Sequence, residues 1–167
     1  MTLKGIQDEV VGDYKKTAMQ LVFPKCSFKC DIENGCKMCQ NSSLAHAPDV
    51  IISIEDLVKR YLSNPLTHAV VLGGLEPFDT FDTMLLFIRV LRENYGCNDD
   101  IVIYTGYTEQ EINLSFSAIY HQLRSYPNII IKFGRFRPGQ EPHYDEVLGI
   151  KLASDNQYAK KVSYDSI

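Results

Sequence analysis

Four cysteines fall within fourteen residues in the stretch FPKCSFKCDIENGCKMCQNSS, with the spacing Cys26-x3-Cys30-x5-Cys36-x2-Cys39. Thiolates are soft donors, and three chemistries suit them at this density. A tetrahedral zinc ion takes four cysteines, commonly with a C-x2-C half such as Cys36-Lys37-Met38-Cys39. That half alone has the spacing of a redox dithiol, although nothing around it resembles a thioredoxin active-site turn. An iron–sulfur cluster held by only three of the four leaves one iron open to a further ligand. The fifth cysteine, Cys97, follows Gly96 at an expected helix end and reads as a bystander. His46, His68, His121 and His143 are scattered without metal-like spacing.

The elements that must position these thiols are legible. Four runs rich in β-formers, at 18–23, 69–72, 101–104 and 128–133, read as buried strands. Three helical patterns lie between them. The first places Ile54, Leu57, Val58, Tyr61 and Leu62 on one stripe, opened by Ser53 and Asp56 as a cap. The second does so with Phe81, Met84, Leu85, Ile88 and Leu91, and Gly96 is its stop. The third carries Ile112, Phe116, Ile119, Tyr120 and Leu123 after a Thr108-x-x-Glu111 box and ends before Pro127. Tyr61 and Tyr120 sit on these stripes as core residues. Strands alternating with helices predict β-α-β units: an α/β fold with either a partial, TIM-like barrel or an open, mainly parallel sheet with flanking helices. In such sheets the loops at the carboxyl ends of the strands carry the site. Here those loops are the cysteine stretch, GGLEPFD (73–79), TGYT (105–108) and GRF (134–136). The segment after them is polar and shows no readable periodicity.

Composition bounds the rest. The 167 residues are 45% hydrophobic and 23% charged, which fits one globular domain spanning 1–167. A net charge of −4 argues against a nucleic-acid partner, since phosphate contacts need a concentrated basic surface. No apolar run has the length of a membrane span or a signal peptide, so the expected setting is the cytoplasm, without membrane contact. In that reducing compartment a cysteine cluster is for metal or redox chemistry rather than disulfides.

Taken together and in this order, the motifs resemble the radical S-adenosylmethionine (SAM) superfamily, and within it the anaerobic ribonucleotide reductase activating proteins. Cys26-Ser27-Phe28-Lys29-Cys30 is similar to the first half of that family's C-x3-C-x2-C motif, and Cys39-Gln40-Asn41 to its end. GGLEP resembles its Gly-Gly-acid-Pro motif, IVIYTGYTEQEI its third strand and turn, and LASDNQ (152–157) a late Ser-Asn-Gln segment. The resemblance covers about residues 18–157. It implies a [4Fe-4S] cluster on Cys26, Cys30 and Cys39, and SAM bound by Met38, Cys39, Gln40, Gly73, Gly74 and Glu76. It also implies reductive cleavage of SAM to generate a glycyl radical on the anaerobic ribonucleotide reductase, with flavodoxin or ferredoxin as electron donor.

This chain departs from the family pattern at four points. Eight residues separate Cys30 from Cys39, and Cys36 is an extra thiol that could replace Cys39 as third ligand. Met38 stands where an aromatic residue often lies near the adenine. Leu75 stands at the second glycine of the Gly-Gly-acid-Pro motif, and Phe133 where an acidic residue precedes the late Gly-x-Phe. Arg135 and Arg137 are candidates for docking the partner. Two alternatives stay open: a radical SAM enzyme for a small molecule or another glycyl radical enzyme, and a non-catalytic four-cysteine zinc module.

Overall fold

The computed structural model describes residues 1–164; the last three residues of the polar C-terminal segment, 165–167, lie outside the described residues. The strands are β1 (Thr2–Leu3), β2 (Gly5–Val10), β3 (Ala18–Val22), β4 (Val50–Ile51), β5 (Ala69–Gly73), β6 (Asp100–Tyr104), β7 (Ile129–Phe133), β8 (His143–Asp145), β9 (Ile150–Leu152) and β10 (Tyr158–Lys161). The α-helices are α1 (Lys29–Asn34), α2 (Ile54–Leu62), α3 (Phe81–Arg89), α4 (Glu109–Ser115) and α5 (Ser117–Ser125).

Six strands form one sheet in the order β10-β7-β6-β5-β3-β2. The four central ones are parallel, and β2 and β10 flank them antiparallel. The architecture is thus the open, mainly parallel sheet with flanking helices, and it does not close into a barrel. Both outer strands are charged: β2 carries Asp8 and Glu9 beside a register shift between Gln7 and Val10, and β10 carries Lys160 and Lys161.

Alternation along the strands explains both faces. Met19, Val70, Ile101 and Ile129 pair across the sheet, as do Leu21, Leu72, Ile103 and Ile131. These rows belong to the main core with α2, α3 and α5. The opposite face, with Gln20, Val71, Val102 and Ile130 in one row, turns more polar toward the carboxyl ends, where Tyr104 pairs with Lys132. A smaller core, including Val71, Val102, Ile130, Leu148 and Leu152, seats the β8–β9 ribbon under this face.

The helix stripes form as their spacing predicts, with two differences. In α2, Leu57, Val58 and Tyr61 are buried and Ser53 Oγ accepts from the Asp56 N–H at 3.0 Å, but Leu62 is exposed. The third pattern is two helices rather than one. Phe116 leaves helical geometry, with φ −132° and ψ 31°, and its ring packs among Phe78, Phe81 and Tyr107. The contacts of that half-buried ring with three other aromatics offset the break in helix continuity. α3 continues through a wider π turn, Val90–Asn94, to Gly96 at φ 61°.

At the amino ends of the parallel strands the loops are closed by Arg92. Its guanidinium donates to the carbonyls of Cys97 (2.6 Å), Asp99 (2.7 Å) and Pro127 (3.0 Å), tying together the entries to β6 and β7. Among the described residues no helix is long and apolar enough to cross a membrane.

Candidate functional site

A cleft of about 630 Å³ opens at the carboxyl ends of the strands. Its walls include Cys26, Cys30 and Cys39 together with Gly73, Gly74 and Glu76. The loops from four strands therefore meet there as the topology predicts.

The cysteine stretch is anchored before it turns. Phe23 N–H donates to the Gly73 carbonyl and Glu76 N–H to the Lys25 carbonyl, both at 2.8 Å, so the loop after β3 is stitched to the loop after β5. Phe28 then adopts a left-handed backbone, φ 50° and ψ 38°, a conformation that a bulky side chain rarely takes. Its N–H points at Cys26 Sγ at 3.2 Å, and Cys30 enters the first turn of α1. Gly35, at φ 67°, ends α1. The carboxylate of Asp31 then receives two backbone donors, Met38 N–H and Cys39 N–H, each at 2.8 Å on Oδ1. That bond pair returns the chain to the cleft at Cys39. Cys36 lies on the outside of the turn, exposed, with Sγ 3.4 Å from the Asn34 carbonyl oxygen.

Burial pushes the Cys26 thiol up to about 12. The Cys30 thiol is also pushed up, by burial first and then by neighbouring Cys39 and Asp31. Both thiols hold their protons in the free protein, and metal uptake would release them. Among the described residues no three His, Cys, Asp or Glu side chains gather on a point that could hold a single ion.

The strand-end motif is built for close approach. Gly74 has φ 80°, and a Cβ there would sit 2.5 Å from Val22 Cγ1, so no other residue fits without moving β3. Leu75, in the place of the second glycine, is buried and is accommodated. Glu76 is buried and accepts three bonds: Phe78 N–H (3.1 Å) and Thr105 Oγ1–H (2.8 Å) on Oε1, and Gly106 N–H (2.8 Å) on Oε2. Burial pushes its carboxyl up to about 7, opposed by those same donors. Tyr107 O–H donates to Asp79 at 2.8 Å, so three bonds tie the TGYT loop to the GGLEPFD loop.

The structure thus brings Cys26, Cys30, Cys39, Gln40, Gly73, Gly74 and Glu76 around one cleft, with Gln40 exposed at its mouth. Met38 is half-buried and, like Cys36, stands outside the cleft lining. Arg135 is not a free docking residue. It is buried, forms a two-pronged bond to Glu111 (2.8 Å on each oxygen) and lies 3.4 Å from Glu33 of α1. Arg137 is exposed. The late LASDNQ segment supports the loop after β7: Asn156 Nδ2 donates to the Arg135 carbonyl (2.8 Å) and Gln157 Nε2 to the Gly134 carbonyl (3.2 Å).

Two site residues escape sequence reasoning. One is Asp31, described above. The other is Lys132 on β7, which is 7% exposed yet lines the cleft. Its ammonium donates to the Gly134 carbonyl at 2.8 Å, and no carboxylate among the described residues lies within ion-pair distance of it. Burial pushes it down to about 8. The available signal was a lone lysine inside the apolar run NIIIKF, in phase with Ile130 on the cleft face.

A family model described as a 4Fe-4S single cluster domain matches residues 16–157, and the chain belongs to that family. Its thiols suit the group: three soft donors, Cys26, Cys30 and Cys39, line one cleft. Among curated proteins, the chain is 31% identical over 103 residues to a probable dual-specificity RNA methyltransferase RlmN of Streptococcus gordonii, covering 56% of this chain and 26% of that protein. It is 32% identical over 74 residues to the protein of that name from Caldicellulosiruptor saccharolyticus, covering 44% and 20%. The chain thus spans about a quarter of the length of these relatives or less. No solved structure matches significantly. Family and relatives support the radical SAM superfamily, and neither reaches the narrower activating-protein family.

Proposed function

We propose that this chain is a radical SAM enzyme that generates a glycyl radical on an anaerobic ribonucleotide reductase. The observation that carries the first part is that three thiols of the cysteine stretch and the GGLEP strand end line one cleft. Cys26, Cys30 and Cys39 would hold the [4Fe-4S] cluster. When bound and reduced, the cluster supplies the single electron for cleavage of SAM.

The chain's own residues supply binding and orientation. Gly74 lets the backbone approach the amino-acid half of SAM. Glu76 has used three acceptor positions of about four on a carboxylate, which leaves one for the ligand's ammonium group. An arriving cation also favours the ionised form of a carboxyl that burial has pushed up. Lys132, a buried cation that feels Glu76 but has no carboxylate within ion-pair distance among the described residues, suits the ligand's carboxylate, and Gln40 sits at the mouth. The reductase as substrate, and flavodoxin or ferredoxin as donor, rest on the motif order and on an open cleft that can admit a loop of another protein.

RNA methylation, named for the relatives, is not carried over, because the chain is acidic at −4 and spans so little of them. A four-cysteine zinc site is disfavoured by Cys36, which faces away from the cleft.

The test is anaerobic reconstitution followed by low-temperature electron paramagnetic resonance, with and without SAM, on wild type, Cys36→Ala and Cys39→Ala. A cluster signal that SAM perturbs, retained without Cys36 and lost without Cys39, is expected. A glycyl radical doublet on added reductase then tests the partner. Zinc binding with no reconstitutable cluster would overturn the proposal.

A further inference from the structure

Two thiols, Cys36 and Cys39, lie within reach of one loop, and a flexible spacer of eight residues after Cys30 would offer either. The spacer is not free. Asp31, directly after Cys30, takes Met38 N–H and Cys39 N–H on the same carboxylate oxygen at 2.8 Å. Its own backbone carbonyl accepts from Cys36 N–H at 3.2 Å, fixing the turn that throws Cys36 outward. The helix carrying Asp31 is itself held. Asn34 Nδ2 donates to the Cys30 carbonyl (2.7 Å) and, more weakly, to the Phe136 carbonyl (3.4 Å), while Glu33 pairs with buried Arg135. Arg135 in turn grips Glu111, the residue that completes the cap of α4. Asp31 therefore stands at the end of a chain of contacts rooted in the loop after β7 and in α4, and its carboxylate converts a long spacer into a short one.

We infer that Asp31 is a positioning residue: by holding the Met38 and Cys39 amides it selects Cys39 over Cys36 as the third thiol presented to the cleft. The inference rests on the reading that these thiols hold a cluster, but the selection is a property of the free protein. Bonds from amides to a carboxylate are charge-assisted and stronger than neutral ones, so two of them bias a short loop by an order of magnitude or more.

The experiment has two arms on the full chain. In the first, the metal-free protein is alkylated with limiting iodoacetamide and the modified cysteines are counted by peptide mass spectrometry. Wild type is expected to modify Cys36 about tenfold faster than Cys39. Asp31→Ala should bring the two rates together, and Asp31→Asn, whose neutral oxygen accepts more weakly than a carboxylate, should give a ratio between those of wild type and Asp31→Ala. In the second arm, iron per chain is measured after anaerobic reconstitution. Cys39→Ala should lose the cluster while Asp31 still holds the loop. The double variant Asp31→Ala/Cys39→Ala should regain part of the iron as Cys36 swings in.

Alkylation ratios and iron uptake unchanged in Asp31→Ala would overturn the inference. If Asp31→Ala does not fold, Asp31→Asn against wild type decides it, since a preference held by the carboxylate weakens there and one held by the loop backbone does not. A wild type that takes up no cluster would sink the cluster reading, and the alkylation arm would still decide whether Asp31 selects the thiol.

Discussion

At the amino ends of the parallel strands a buried guanidinium, Arg92, donates to three backbone carbonyls. At the carboxyl ends a buried ammonium, Lys132, donates to one. Both are 7% exposed, so solvent does not account for the difference. A buried charge left short of partners is costly, and folds keep such groups where a ligand supplies the rest. The first end is therefore tied by its own backbone, with Nε the one guanidinium nitrogen of Arg92 left without a partner among the described residues, and the second leaves its cation facing an open cleft.

The comparison can be broken most directly at Arg92. Arg92→Met leaves three buried carbonyls without their donor and should cost about 3–5 kcal/mol in urea unfolding, the largest effect at either end. Iron bound per folded chain should not change. A smaller loss than that of Lys132→Met would reverse the contrast.

Lys132→Met should change stability by less than about 1 kcal/mol at pH 7, or raise it, because a poorly partnered charge is replaced by an apolar chain. SAM affinity of the reconstituted protein, by calorimetry, should fall about 10- to 100-fold. The variant also sharpens the comparison through pH. Lys132 sits at about 8 when folded against an ordinary 10.5, so the unfolded chain binds more protons between those values. Wild-type stability should accordingly rise with pH across that window relative to the variant.

The smallest effect is expected at Glu111, which Arg135 holds down to about 2 from an ordinary 4.5. Its contribution is present above pH 4.5 and lost as pH falls toward 2. Glu111→Gln should flatten that acid limb, by about 1 kcal/mol once solvent screening is allowed for. An acid limb as steep as wild type would show that the Arg135 bridge adds nothing.

The four parallel strands and the rim they build were legible because apolar runs of β-formers have few other fates, and β3, β5, β6 and β7 fall within a residue or so of their expected bounds. The antiparallel edges were not. Gly5–Val10 reads as polar, and Tyr158–Lys161 lies in a segment without periodicity; both are strands because a neighbour offers unpaired backbone, not because their side chains demand it. The break at Phe116 was hidden for a related reason, since the stripe continues through it and only the rings of Phe78, Phe81 and Tyr107 decide the geometry. In the site, the motif residues converge as their order implied. Arg135 owes its role to a contact with Glu33, about a hundred residues away, while Asp31 acts on amides seven and eight residues on and Lys132 on a carbonyl two residues on, polar contacts that hydrophobic periodicity does not signal.

The unclosed sheet has one more consequence. A barrel has no free margin, whereas this sheet leaves the outer backbone of β2 and β10 open, and such margins template aggregation between molecules. The acidic pair Asp8–Glu9 with its register shift, and the lysine pair Lys160–Lys161, stand where strand addition would start. An open sheet that keeps its cleft accessible thus carries charge at both margins, the feature that discourages strand addition.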